Sequence, residues 1–378
     1  MRKEAAADMN NVKLRDSNLF RLIVFVLIPL VFLISCGLKP KSYLTGIVVT
    51  IGIYVILCAS LNLINGFSGM FSMGHAAFMA IGAYLSAFLT LPSNVKENMC
   101  SGLPDWLIHT QAPFAVALIV GGLGAMLVAV LIAFPVVRTK GHYLSVVTLA
   151  LIVVVCAVID NQESWTNGSR GLNGIPAKSN IVSVYIVMVI TLFLLFRIIR
   201  SSYGRGLIAM RDDPVAAQTL GINLVRKKIS CFAISAFFAG VGGALWGHYL
   251  TAISSSGFYF TKSFDIVEIS IIGGMSSLSG SILGAIFFTV IPEFLAPLES
   301  GLKIAGVKLP AMFGLSNIIM ALLLILLIIF RRQGLMGNSE IILESWFSKD
   351  TYLSLFKKEE YQKLAAGFKN LFARKKKQ

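Results

Sequence analysis

Residues 197–228 read RIIRSSYGRGLIAMRDDPVAAQTLGINLVRKK, with seven Lys and Arg against two acids, Asp212 and Asp213. Apolar runs flank the segment on both sides. Inside it, Asp213-Pro214 and Gly221 frame one short helix: the Asp213 carboxylate can cap free N–H groups, Pro214 suits a first turn, and Gly221 can take the left-handed backbone that ends a helix. Ala216 and Ala217 give that helix a small-residue core. A capped helix in a basic loop between apolar runs is either an ordinary connection or a docking element.

Outside this loop the chain is built for a bilayer. It has 378 residues, of which 56% are hydrophobic and 13% charged, and its mean hydropathy is +0.79. A hydrocarbon core of about 30 Å asks for about 20 apolar residues per helix. The pattern predicts an all-α polytopic membrane protein with about ten spans, at 20–36, 43–64, 67–91, 113–134, 143–158, 181–199, 229–250, 264–276, 282–298 and 312–330. The fifth and eighth are short, and the third is polar along its first half. Broken or short spans are tolerated where the backbone is buried in protein or lines a wet cavity, which points to transport.

With ten spans both termini share one side, together with the 135–142 and 197–228 loops. That side and the span ends facing it carry 25 of the 33 Lys and Arg, whereas the acids divide 10 and 8. Basic bias of this kind marks the cytoplasmic face, so both termini are expected there. The net charge of +15 then reads as an orientation and lipid-headgroup signal; a nucleic-acid site would need aromatic residues or a folded domain beside the charge. Three regions are expected: a cytoplasmic segment 1–19, a membrane domain 20–330 containing the cytoplasmic loop 200–228, and a basic tail 331–378. In the tail Leu353, Phe356, Leu364, Phe368, Leu371 and Phe372 alternate with lysines, as in a helix lying on an anionic leaflet.

Residues 1–36 read as an uncleaved first span, because no small-x-small site follows the apolar run. Four of the five cysteines, Cys36, Cys58, Cys156 and Cys231, lie in or beside apolar spans, and only Cys100 falls in an external loop, so no disulfide framework is expected. Enzyme signatures are missing. GLNGIPAKS at 171–179 has Leu172 and Ala177 where a phosphate-binding loop needs glycine, there is no H-E-x-x-H, and the histidines are scattered. The chain is read as a non-enzyme without a metal or cofactor of its own. If transport is driven by ATP, another chain binds the nucleotide.

Polar residues inside the spans carry the functional weight. Asn62, Asn65, Ser68, Ser72 and His75 fall in LNLINGFSGMFSMGHAAFMAIGAY, residues 61–84, with glycines interleaved. Such a surface suits a path for a small zwitterion, polar enough to wet and too weak to trap. It equally suits a hydrogen-bonded helix contact, and His75 reads as a packing histidine rather than a proton relay. Glu268 is the one acid well inside an apolar span, where it needs a partner or a cavity; no basic residue is expected deep in any span. Two small-residue stripes, Gly121-Ala125-Ala129-Ala133 and Ala236-Gly240-Ala244-Gly247, predict close helix packing.

With these segments in place, the chain resembles the LivH/LivM permease family of branched-chain amino acid ABC importers, the LivM type in particular. The likeness spans most of 43–337 and rests on five blocks in the family's order. They are Asn62-Leu63, Gly66, Ser72 and Gly74-His75-Ala76-Ala77-Phe78 with Gly82-Ala83-Tyr84; Arg138, Gly141, Tyr143 and Thr148-Leu149-Ala150; Thr166-Asn167-Gly168 with Gly171-Leu172 and Gly174-Ile175-Pro176; Gly204-Arg205, Arg211, Ala216-Ala217 and Leu220-Gly221-Ile222 continuing to Gly243-Ala244; and Ser263, Glu268, Gly273-Gly274, Ser277, Gly280 and Gly284-Ala285, closing with Gly334-Leu335 and Gly337. Val153 and Arg332 depart from the family pattern.

The resemblance implies a permease subunit of the bacterial inner membrane importing leucine, isoleucine and valine. It implies a second LivH-like permease, two cytoplasmic ATPase subunits and an extracytoplasmic binding protein as partners. It implies a substrate path along Asn62, Asn65, Ser68, Ser72, His75, Thr148 and Glu268, and coupling to the ATPase through Arg205, Arg211, Asp213, Ala216, Ala217 and Gly221. Relatives that move urea or short amides share the blocks, and a self-contained channel or secondary carrier is the reading from another class. A carrier would have no need of a docking helix.

Overall fold

The computed structural model describes residues 43–136, 143–299, 303–304, 307–308, 314–331 and 334–336. The expected first span, the segment 1–19, Arg138, Gly141 and the tail beyond 336 lie outside the described residues. Described are fourteen α-helices: α1 Tyr43–Asn62, α2 His75–Thr90, α3 Ser93–Met99, α4 Asp105–His109, α5 Phe114–Val136, α6 Tyr143–Asn161, α7 Glu163–Thr166, α8 Ile181–Arg200, α9 Ser202–Asp212, α10 Pro214–Thr219, α11 Leu224–Leu250, α12 Phe260–Gly273, α13 Leu278–Glu299 and α14 Leu315–Phe330. The all-α expectation is modified only by two-residue pairings, β1 Leu172–Asn173 with β2 Ala252–Ile253 and β3 Lys303–Ile304 with β4 Val307–Lys308.

Among the described residues, six helices (α1 with the turn that extends it, α5, α6, α8, α11 and α13) are long and apolar enough to cross a bilayer, and α2 and α14 are apolar but shorter. The chain is thus a mostly helical, polytopic membrane protein. Several boundaries differ from the sequence expectation, among them the start of α11, which opens at Leu224 rather than at 229. Helix α6 reaches Asn161 and is a full 19 residues long, because Asp160 at its polar end is held by Ser169 and Ser255. Helix α13 starts at Leu278 rather than at 282, since the Ser277 hydroxyl accepts from Gly280 N–H at 3.0 Å and caps the first turn. The expected span 67–91 is broken, and only residues from His75 onward form the helix.

The core is α11 packed against α2 and α5 through the two small-residue stripes. Ala125, Ala129, Ala133, Ala236 and Ala244 are all buried. A Cβ on Gly82 would stand 2.1 Å from the Gly240 carbonyl oxygen, and one on Gly243 2.0 Å from that of Met79. Backbone therefore lies on backbone here, the arrangement favoured where lipid supplies no hydrophobic drive between helices. In contrast Leu127, Leu131, Val146 and Ile318 remain largely exposed on the outer faces of α5, α6 and α14, as lipid-facing side chains should.

At the opposite end from the 197–228 loop, the connection after α2 is pinned by Lys96. Its buried Nζ donates to the carbonyls of Leu107 and Thr110 at 2.9 and 2.6 Å. Cys58, Cys100, Cys156 and Cys231 are buried free thiols.

Candidate functional site

The break between α1 and α2 is the centre of the site. After Asn62 the helix loosens into a π-turn over Leu63–Phe67, and residues 68–74 are non-helical. Non-helical backbone within a membrane domain needs substitute partners for its polar groups, and side chains supply them. Asn65 pairs with Ser72 on both edges, its Nδ2 donating to Ser72 O at 3.1 Å and its Oδ1 accepting from Ser72 N–H at 2.9 Å. From α6, Ser145 donates to Phe71 O at 2.8 Å and the Thr148 hydroxyl accepts from Met73 N–H at 3.1 Å. From α12, Ser263 donates to Met73 O.

A second break faces the first. Residues 274–277 join the short α12 to α13, with Gly274 at φ +113°. Asn62 ties the two breaks together: its Nδ2 donates to Ser281 Oγ at 2.7 Å and to Ser277 O at 3.2 Å, and its Oδ1 accepts from Ser270. The breaks also touch directly. A Cβ on Gly66 would lie 1.4 Å from the Met275 carbonyl oxygen, so only glycine permits this approach.

The 197–228 loop reaches this junction through one side chain. Arg211, near the end of α9, donates from Nη1 to Gly66 O at 3.1 Å and to Ser276 Oγ at 3.3 Å. Asp212 fixes the guanidinium from the other side, at 3.0 Å from Nε and 2.9 Å from Nη2. Gly69, at φ +71°, gives the arginine stem room, since a Cβ there would meet Arg211 Cγ at 2.6 Å. The loop holds two helices where one was expected. Ser201 caps α9, accepting from Tyr203 and Gly204 N–H, and the sequence reading missed it because Gly204 and Gly206 weaken the helical pattern. Helix α10 matches its sequence signs: Asp213 accepts from Val215 and Ala216 N–H at 2.9 and 3.0 Å, Pro214 opens the first turn, and Gly221 sits at φ +80°. Val215 and Leu220 are exposed apolar side chains on this outer helix, while Ala217 is buried. The base of α9 is locked to α11 by Tyr203, whose hydroxyl lies 2.7 Å from Ser230 Oγ; burial pushes this phenol up to about 12, so it stays a neutral donor.

The chain matches the family described as "Branched-chain amino acid transport system / permease component" over residues 43–330. It belongs to that family. The permease LivM of Escherichia coli strain K12 is 30% identical over 339 residues, 81% of this chain and 71% of that protein. LivM of Salmonella typhimurium is 28% identical over 88% of this chain and 77% of its own length. LivH of the same organism is 24% identical over 78% of this chain and 94% of that one. No solved structure matches the chain.

Within this permease the residues singled out from sequence divide into two groups. Asn62, Asn65, Ser68, Ser72, His75 and Thr148 are buried around the first break. Their polar atoms are mostly spent inside the protein: Ser68 donates to Ile64 O at 2.7 Å, and His75 Nε2 lies 3.1 Å from Ser60 Oγ, leaving its buried Nδ1 without a described partner. Glu268 stands apart on α12, half-buried, with no hydrogen-bond or ion-pair partner among the described residues. Of the loop group, Arg211 reaches the backbone of the first break at Gly66 O; Arg205 instead bonds the Arg200 carbonyl at 3.0 Å.

Sequence reasoning missed several residues. Ser145, Ser270, Ser276 and Ser281 complete the two breaks, and the Ser/Gly run from 270 to 281 inside an apolar stretch was the available signal. It also misplaced Lys262. Helix α12 starts at Phe260 rather than 264 and carries this lysine into the helical bundle. There its Nζ donates to Tyr54 OH at 2.7 Å, lies 3.9 Å over the Trp246 ring, and sits 3.9 Å from Asp265. Its charge is held by aromatic faces and one carboxylate, an arrangement that hydropathy does not register.

Proposed function

We propose that this chain is the LivM-like membrane-spanning subunit of an ATP-driven importer for leucine, isoleucine and valine, in the inner membrane of a bacterium. In this reading ten spans place both termini in the cytoplasm, residues 1–19 and 331–378 flank the membrane domain there, and the loop 200–228 docks into one of the two ATPase subunits that bind the nucleotide. A LivH-like permease completes the path, and an external binding protein delivers the substrate. The relatives quoted above carry branched-chain amino acid names, which favours these substrates over urea or short amides.

The observation that carries the reading is Arg211. One side chain connects the helix pair of the basic loop to the tips of both broken spans. Movement of α10 by an ATPase would therefore act on the Gly66–Met275 contact and on the Asn62 network behind it. A self-contained channel has no use for such a lever.

Helix α12 supports a partner permease. Glu268, half-buried and without a described partner, lies one helical turn from Phe264, which is 49% exposed. An acid facing lipid costs about 2.5–3.5 kcal/mol on insertion scales. A second subunit or a wet path against this face removes that cost. Affinity is assigned to the external protein, with the membrane domain binding substrate no better than about −4 kcal/mol, in the millimolar range.

The test uses cysteines at 65, 68 and 72 in the assembled importer. Access to small thiol reagents should be low at rest, as the burial of these positions requires, and should rise on addition of ATP with loaded binding protein. Uniform protection in all states would return these residues to a packing role. Calorimetry of the permease pair with leucine should give no micromolar binding; micromolar affinity without the external protein would overturn the assignment of affinity.

A further inference from the structure

Two cavities open side by side where α11 begins. One, of about 530 Å³, is lined by Met126 and Val130 of α5 and by Val225, Ile229 and Ala233 of α11. The other, of about 710 Å³, is lined by Tyr203, Arg205, Gly221, Ile222 and Lys227 among others. Asn223, Arg226 and Ser230 belong to both walls. The pair is therefore one amphipathic groove, apolar toward the bundle and basic toward the loop.

Its charge is uncompensated. No acid lines either cavity, and neither ion pair found among the described residues involves Arg205, Arg226 or Lys227. Lys227 is aimed by Tyr203, its Nζ lying 4.1 Å over the ring and donating to Tyr203 O at 3.2 Å. The Arg226 side chain is exposed and bonds no described residue. An acidic protein segment or a free phosphate would satisfy the basic wall and leave the apolar one empty. A molecule with an anionic head and an acyl chain satisfies both, and long basic side chains at a membrane boundary commonly meet such heads.

We propose that this groove binds an anionic phospholipid of the leaflet facing the basic loop. Its phosphate lies among Arg226, Lys227 and Arg205, and one acyl chain lies between α5 and α11. Gly221 and Ile222 form part of the head-group wall and are the link from α10 to α11. A bound lipid therefore braces the joint at which motion of the docking helix enters the membrane domain, making transport dependent on lipid composition.

The test is native mass spectrometry and thermal melting of the full-length chain in neutral detergent, titrated with phosphatidylglycerol, phosphatidylcholine or inorganic phosphate. The expected result is at least ten-fold preferential retention of phosphatidylglycerol over phosphatidylcholine, with a rise in melting temperature from the anionic lipid alone. Arg226→Glu, at an exposed position, should melt like the parent without lipid and lose both effects. Val130→Trp, which fills the apolar cavity and leaves every charge, should lose them too. Equal retention of the two lipids, or preference surviving in Arg226→Glu, would overturn the proposal. So would inorganic phosphate displacing the lipid at equal concentration while Val130→Trp binds normally, which would mark a site for the anionic head alone.

Discussion

The molecule uses glycine-rich contacts twice, to opposite ends. Where α2, α5 and α11 cross, Gly82, Gly240 and Gly243 bring backbone onto backbone among apolar neighbours, with Ala236 and Ala239 buried beside them. Where α1 and α12 break, Gly66 again meets a backbone carbonyl, that of Met275, and Gly69 an arginine stem, but here the neighbours are polar: Asn62, Ser270, Ser276 and Ser281. The first contact has many small attractions and no alternative partners, so it has one arrangement. The second is a set of hydrogen bonds, and it is the contact that the proposed coupling would rearrange. What surrounds the glycine, rather than the glycine itself, thus distinguishes the two contacts.

The largest expected effect breaks the rigid contact. Gly82→Leu drives a side chain into the Gly240 backbone, where overpacking costs about 1–3 kcal/mol or more because backbone cannot yield like a side chain. Folded, monodisperse protein should fall more than ten-fold in fluorescence size-exclusion chromatography; an unchanged peak would refute the packing described. Next is Arg211→Gln. It removes the charge-assisted bonds to Gly66 O and Ser276 at a 28% exposed side chain, where water takes over much of their strength. The expected outcome is parent-like melting with uptake reduced at least ten-fold while ATPase activity persists. Loss of folding instead of coupling would place Arg211 with the rigid group.

Asn62→Leu sharpens the comparison. It strands the Ser270 hydroxyl, removes the donor to Ser281 and Ser277 O, and should lower stability by about 1–3 kcal/mol, read as a lower melting temperature with assembly intact. The smallest effects belong to the docking helix. Asp213→Ala removes an N-cap and should cost about 1 kcal/mol locally, and Gly221→Val strains a φ of +80° by about 1–3 kcal/mol. Both should leave folding intact, and Gly221→Val should misdirect the chain entering α11 and lower coupled uptake. Normal uptake in Gly221→Val would remove α10 from the coupling path.

Much of the architecture was legible because its causes are local or periodic. Hydropathy over about 20 residues marks spans regardless of their neighbours. The stripes around Gly121 and Gly240 repeat every three or four residues and so declare a face. The cap at Asp213, the proline after it and the turn at Gly221 are single-residue signals whose physics acts within one turn. The helix 202–212 was not legible, because Ser201 caps a segment whose glycines dilute the pattern. Nor was the length of α12 or the placement of Lys262, since a lysine flanked by Thr261 and Ser263 reads as loop until Trp246 and Tyr54 are seen to cover it.

By itself, the sequence determined a helical membrane chain of this permease family, its glycine-lined crossings and its capped basic loop. Only the tertiary structure decided that the loop touches the polar breaks, and through which atom. Asn62 and Ser281 are 219 positions apart, and Arg211 is 145 from Gly66. A hydrogen bond depends on distances of about 3 Å, and no property of either residue or of its neighbours along the chain encodes which distant group will be brought that near.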